Sequence, residues 1–95
     1  MYQVLIRKSA KKDFKRLPKQ LQAKVKQKTF KEIAKNPWLN RGLSGSFKGL
    51  KKVVLRYQGV EYRIVYYILK DDKIALVIML GTRENFYQKL KRRLK

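Results

Sequence analysis

The stretch IALVIML, residues 74–80, decides the fold, because it is the longest uncharged apolar run in the chain. A near-continuous apolar run of this length is typical of a central β-strand that is covered on both faces. It is far too short to span a bilayer. Asp71-Asp72 before the run predicts a hairpin turn, and Gly81 after it predicts the end of the strand.

Three more strands are predicted before this run in the sequence. Near the N-terminus, Tyr2, Val4 and Ile6 alternate with Gln3, Leu5 and Arg7, as in a strand with one strongly apolar face. Residues 52–57 and 62–69 are rich in β-branched and aromatic residues. Gln58-Gly59 predicts the turn between them, and strands joined by short turns are antiparallel neighbours.

Helices are predicted in three places. Residues 10–16 form a short helix that Ser9 could cap. Pro18 suits the first turn of a second helix, which ends at Asn36-Pro37. Residues 84–94 form a short basic helix. The second helix carries an apolar stripe with a spacing of four residues, formed by Leu21, Val25, Thr29 and Ile33.

The predicted order is therefore β-α-α-β-β-β-α in one domain spanning residues 1–95. A helical hairpin must cover one face of such a sheet. We expect a small α+β domain with an antiparallel-rich sheet of about four strands, an N-terminal helical hairpin on one face and a short C-terminal helix.

The charge of the chain limits the range of possible functions more than its length does. The chain has 26 Lys and Arg against 6 Asp and Glu, a formal net charge of +20, and it lacks His and Cys. Such a positive field favours an anionic partner, most often nucleic acid, with an acidic protein or an anionic membrane surface as alternatives. The composition predicts neither a metal site nor a cofactor. Absence of cysteine suits the reducing cytoplasm, and residues 1–8 do not resemble a signal peptide.

Four residues form the candidate catalytic set: Lys52, Arg63, Arg83 and Tyr87. Taken singly, each has an ordinary explanation, because most strand arginines pair with a carboxylate or reach water. Taken together, three neighbouring strands would bring the cations to one surface, with Tyr87 beside Arg83 on a helix. This set suits RNA cleavage by the 2′-hydroxyl, which needs a base and cations for the phosphorane charge. Without histidine, a lysine or tyrosine must act as the base.

The sequence resembles the RelE-type toxins of the RelE/ParE superfamily of toxin–antitoxin pairs, over nearly its whole length. The resemblance is carried by short segments in a fixed order and is strongest in the last two of them. These segments are Tyr2-Gln3-Val4, residues 10–14, Asn36-Pro37, Lys48-Gly49-Leu50, Leu55-Arg56, Gly59, residues 62–66 and residues 81–87.

The resemblance implies an endoribonuclease that cuts mRNA in the ribosomal A site. In that interpretation, Arg63 stabilises the scissile phosphate. Arg83 stabilises the phosphate or the leaving group. Tyr87 orients or activates the 2′-hydroxyl, or stacks on a base. Of the family's pair of lysines two residues apart, Lys52 is retained and Val54 replaces the second, for which Lys51 or Arg56 would have to substitute.

The resemblance also implies partners. The family's antitoxin wraps the toxin and can displace its last helix, and an acidic or amphipathic antitoxin would suit the charge of this chain. The mRNA and the ribosome are the other expected partners. We further predict that Lys48, Lys51 and Arg56 contact nucleic acid.

Three other functions stay open at this stage. A ParE-like toxin would bind DNA gyrase without being a nuclease, although such proteins usually lack the arginine–tyrosine set. A basic RNA-binding protein would bind RNA in a salt-sensitive way without depending on these residues. A degenerate toxin would still bind its antitoxin, and Val54 is the position that would account for lost activity.

Overall fold

Five strands form one mixed sheet in the computed structural model, which describes all residues from Met1 to Lys95. The sheet order is β1-β5-β4-β3-β2, with β1 parallel to β5 and the other pairs antiparallel. The α+β class and the antiparallel-rich sheet are confirmed. The strands are β1 Gln3–Ile6, β2 Arg41–Gly42, β3 Leu50–Tyr57, β4 Val60–Leu69 and β5 Ile74–Thr82.

The strand count differs from the expected four because of β2. This strand has only two residues, and it pairs with Lys51 and Lys52 at the start of β3. A two-residue strand in a glycine-containing segment leaves no alternation in the sequence, so its pairing with β3 is the only sign of it.

Strand β5 is an inner strand with apolar side chains on both faces, as predicted. Its register against β4 shifts where Val65 pairs with Met79 but Tyr66 pairs with Val77. Ile78 is the extra residue of this β-bulge, and it explains why the run does not alternate strictly. Gly81 does not end the strand, because it still pairs with Arg63 in the ladder.

The helices on one face begin directly after β1. Helix α1 spans Lys8–Arg16, so Ser9 lies inside it and does not cap it. The N-cap is Arg7, whose amide still pairs with Val77 of β5 while its carbonyl accepts from Ala10 and Lys11. The end of β1 therefore fixes the start of the helix.

The second predicted helix is continuous but changes its winding. Helices α2, Lys19–Lys24, and α3, Phe30–Lys35, are joined by a π-helical turn at Val25–Thr29. An α-helix has 3.6 residues per turn, so side chains four apart drift around its axis. A wider turn with i→i+5 bonds reduces that drift. The stripe Leu21, Val25, Thr29 and Ile33 therefore stays buried along its whole length.

Helix α4, Phe86–Arg93, covers the opposite face of the sheet. It is shorter than the predicted 84–94, because Asn85 before it has a left-handed backbone (φ 52°). Phe86 and Leu90 pack there against residues of β3, β4 and β5. Arg93 forms an ion pair with the buried Asp13 of α1, whose carboxylate also accepts a hydrogen bond from the Leu80 amide at 3.2 Å. These contacts tie α4 to the rest of the domain.

Candidate functional site

The candidate site lies on the sheet face that carries α4. In the β3–β4 ladder Lys52 stands opposite Val65, and Val54 stands opposite Arg63. Paired residues of an antiparallel ladder point to the same face, and residues two apart on a strand share it. Lys52, Val54 and Arg63 therefore share the face of Val65, which is buried in the α4 core.

Tyr87 joins the cations of this face. Lys52 Nζ donates a hydrogen bond of 3.0 Å to the Tyr87 hydroxyl and lies 5.7 Å from the centre of its ring. The Arg63 guanidinium carbon lies 5.2 Å from the same ring centre. Phe47 and Phe86 hold the ring from other sides, with centroids at 5.8 and 5.6 Å. The tyrosine is thus fixed between two cations by its aromatic neighbours.

Glu61 is a member of the site that the sequence prediction missed. Its Oε2 lies 3.0 Å from both Nε and Nη2 of Arg63, and both side chains are largely buried, at 17% and 19% exposure. Glu61 and Arg63 are two apart on β4, so the strand alternation alone places them on one face. The carboxylate therefore binds the edge of the guanidinium formed by Nε and Nη2, and this contact fixes the orientation of the group. No protein group bonds the remaining nitrogen, Nη1.

Arg83 lies outside the contacts between Tyr87, Lys52 and Arg63. It is exposed in the turn after β5, three residues before α4 begins. The expected helical neighbourhood of Arg83 and Tyr87 is therefore wrong, because Arg83 precedes the helix. It lines an open cavity of about 750 Å³ together with Arg56 and Glu61. Glu61 thus connects the cavity of Arg83 to the guanidinium of Arg63.

The three predicted nucleic-acid-binding residues lie in different places. Arg56 is 73% exposed at the cavity, with its Nη2 3.9 Å from Glu61. Lys48 is exposed in the loop before β3. Lys51 pairs with Tyr66 and points to the face opposite Lys52, so it cannot replace a lysine missing at position 54.

This arrangement can bind a phosphate and move a proton. Arginine side chains at the cavity suit bidentate contacts with phosphate oxygens. The hydroxyl of Tyr87 and the amine of Lys52 are groups that exchange protons, and they already share a hydrogen bond. No group of three or more His, Cys, Asp or Glu side chains is placed to hold a metal ion. None of the helices has the length and apolar character needed to cross a membrane.

Comparison with known proteins gives the family. Residues 4–91 match the model of the ParE-like toxin of type II bacterial toxin–antitoxin systems. The chain belongs to this toxin family. The toxin is 31% identical over 83 residues to an Escherichia coli protein described as a RelE-like toxin, a match that covers 87% of this chain and 84% of the relative.

Solved structures agree with this assignment. The isolated E. coli RelE toxin superposes with a TM-score of 0.72 at 25% identity, over 100% of both chains. The toxin fold in the intact E. coli RelBE toxin–antitoxin complex gives a TM-score of 0.73 at 24% identity, covering 88% of this chain and 99% of that one. The RelBE2 complex from Mycobacterium tuberculosis gives 0.73 at 22% identity, covering 86% and 98%. The toxin is therefore of the RelE type.

Proposed function

We propose that this toxin is an endoribonuclease that cleaves mRNA in the ribosomal A site and thereby stops translation. The observation that supports it most is the contact of Tyr87 with both Lys52 and Arg63 on one open face, next to the Arg83 cavity. A toxin that only bound a protein would not need a hydroxyl, an amine and a guanidinium in contact with one another beside a cavity lined by arginines.

The reaction is an attack of the 2′-hydroxyl on the neighbouring phosphorus. The 2′-O–P bond forms, the P–O5′ bond breaks, and the products are a 2′,3′-cyclic phosphate and a 5′-hydroxyl. The hydroxyl proton passes to the Lys52–Tyr87 pair in the form of the pair that lacks one proton, and water supplies the proton that the leaving 5′-oxygen takes up. Arg63, through Nη1, and Arg83 stabilise the charge on the phosphorane oxygens.

The proposal includes an antitoxin that silences the toxin in the cytoplasm. The RelB-containing complexes hold toxins of this fold with their antitoxins. The net charge of +20 favours an acidic or amphipathic partner. A short neighbouring reading frame for an acidic protein would be its natural source, and co-expression with that protein should restore growth.

The direct test is induction in cells with mapping of mRNA 5′ ends. Cuts in frame within translated regions support cleavage in the ribosome. Intact mRNA with damaged DNA would instead indicate that the toxin acts on DNA gyrase. Salt-sensitive RNA binding without any cuts would indicate an RNA-binding protein that is not a nuclease.

The chemistry can be checked on programmed ribosomes with a single modified nucleotide. We expect a 2′-deoxy substitution at the mapped site to abolish the cut there, because the nucleophile is gone. The unmodified mRNA should give a 2′,3′-cyclic or 3′-phosphate end and a 5′-hydroxyl. Cleavage at the deoxy position would contradict the proposed attack, whereas a deoxy substitution one nucleotide downstream serves as the control.

Val54→Lys is expected to raise the cleavage rate roughly three- to tenfold, because it adds a cation opposite Arg63, where phosphate charge develops. Val54 is 47% exposed, so the lysine stem fits without burying the charge. Gln27→Lys adds the same charge on an exposed part of the helical hairpin and should leave the rate unchanged. An unchanged rate in Val54→Lys would show that Lys52 alone suffices.

A further inference from the structure

A second groove, of about 370 Å³, lies at the end of the sheet where β3 begins. Two aromatic side chains line it, Trp38 at 50% exposure and Tyr67 at 42% exposure, together with Lys51. No carboxylate lines this groove. The other lining residues are small or aliphatic, and they include Gly42 and Gly49.

Trp38 is held in place although half of it is exposed. Its indole Nε1 donates to the Tyr2 hydroxyl at 3.3 Å, and its amide donates to Asn36 Oδ1 at 3.2 Å. Lys51 Nζ donates to the Trp38 carbonyl at 3.4 Å and lies 5.9 Å from the centre of the ring. A tryptophan that is fixed at both ring and backbone while half exposed presents a rigid aromatic surface to a partner.

Tyr66 fixes the turn that carries Trp38. Its hydroxyl donates to the Pro37 carbonyl at 2.6 Å and accepts from Asn40 Nδ2 at 2.9 Å. Burial raises the pKa of Tyr66, while the Asn40 hydrogen bond acts in the opposite direction, so the hydroxyl keeps its proton at neutral pH. The short helical turn Pro37–Leu39 is therefore anchored to the core on both sides of Trp38.

We propose that this groove binds one base of single-stranded RNA beside the cleavage site, with Trp38 as the stacking surface and Lys51 at the adjoining phosphate. Aromatic surfaces flanked by cations are the usual means of binding single strands without sequence readout. The absence of carboxylates in the groove favours a polyanion over a basic peptide.

The position of the groove supports this occupant. Tyr67 and Arg63 lie four residues apart on the same face of β4, which is about 13 Å along a strand. A bound RNA strand of a few nucleotides spans that distance. Lys51 points to the face opposite Arg63, so the strand would pass over the end of the sheet at Tyr67 to reach Lys51 and Trp38. This inference rests on the proposed function.

The only tryptophan of the chain gives a direct signal for the test. A short 2′-O-methyl oligoadenylate, which cannot be cleaved by 2′-hydroxyl attack, is titrated into the full-length toxin at fixed salt. We expect saturable quenching of Trp38 fluorescence. An oligonucleotide with abasic positions should bind more weakly and quench less, because stacking needs the base.

Variants separate stacking from general charge. With a fluorescein-labelled oligonucleotide, Trp38→Ala should weaken binding about tenfold, Trp38→Phe should restore most of it, and Leu39→Ala in the same turn should bind as the parent does. Equal affinity of Trp38→Ala and the parent, or equal quenching by the abasic strand, would overturn the inference. Quenching by an acidic peptide but not by RNA would also overturn it, in favour of a protein partner.

Binding and cleavage can fail separately in this design. If Trp38-dependent binding is found while mRNA stays intact in cells, the groove stands and the nuclease proposal falls. If mRNA is cut and Trp38→Ala both binds and cuts as the parent does, the nuclease proposal stands and the groove falls.

Discussion

Arg83→Ala is expected to abolish growth inhibition while leaving the fold intact. The side chain of Arg83 is exposed in the turn after β5, and it makes no hydrogen bond or ion pair within the protein. Its removal therefore costs no folding contact, but it takes a cation from the proposed phosphate cavity. Loss of one such transition-state contact typically slows a reaction roughly 10²–10³-fold, which is enough to silence a toxin expressed at low level.

The measurements are growth after induction, cleavage of mRNA on programmed ribosomes, and urea unfolding of the purified variant. Arg92→Ala is the matched control, because it removes the same charge from an exposed position of α4. We expect Arg92→Ala to remain toxic. Full toxicity of Arg83→Ala at equal protein level would remove the nuclease proposal, whereas a lowered unfolding midpoint would mean that Arg83 stabilises the fold.

The parts of the fold that the sequence predicted are those with a local signal. Alternation along residues 62–69 predicts Tyr66 and Ile68 on one face and Val65 on the other, and the two hydrophobic cores of the structure contain them in that arrangement. The parallel pairing of β1 with β5 has no such signal, because its register depends on contacts between residues about 70 positions apart. The two-residue strand β2 was missed because it is too short to show alternation in the sequence.

The candidate site was likewise predicted only where the sequence carries a local signal. Strand order and parity were enough to place Lys52 and Arg63 on one face, and the helix after β5 brought Tyr87 to them. Glu61 was not predicted, although its spacing of two residues from Arg63 places both side chains on one face of β4. The fixed position of Trp38 could not be predicted, since it depends on a hydrogen bond to Tyr2 across 36 residues of chain.

Arg63→Lys is expected to lose cleavage as well, although it keeps the charge. Arg63 uses Nε and Nη2 on Glu61 at 3.0 Å each, which leaves Nη1 for the phosphate. A lysine has one nitrogen, and the adjacent Glu61 carboxylate would engage it, so little would remain for the substrate. The contact of the guanidinium with the Tyr87 ring, whose centre lies 5.2 Å from the guanidinium carbon, would also be lost. We expect a rate loss of about 10²-fold or more.

The control for this substitution is Arg56→Lys. Arg56 contacts the same carboxylate, but its side chain is 73% exposed and its Nη2 lies 3.9 Å away. This contact therefore depends on the positive charge and not on the bidentate geometry of a guanidinium. We expect Arg56→Lys to keep nearly full activity. A double variant, Arg63→Lys with Glu61→Gln, tests the reason directly: freeing the lysine from the carboxylate should recover part of the lost rate. Equal cleavage by Arg63→Lys and the parent would show that the guanidinium fork is not needed, and the phosphate would then have to be held by Arg83 and Lys52.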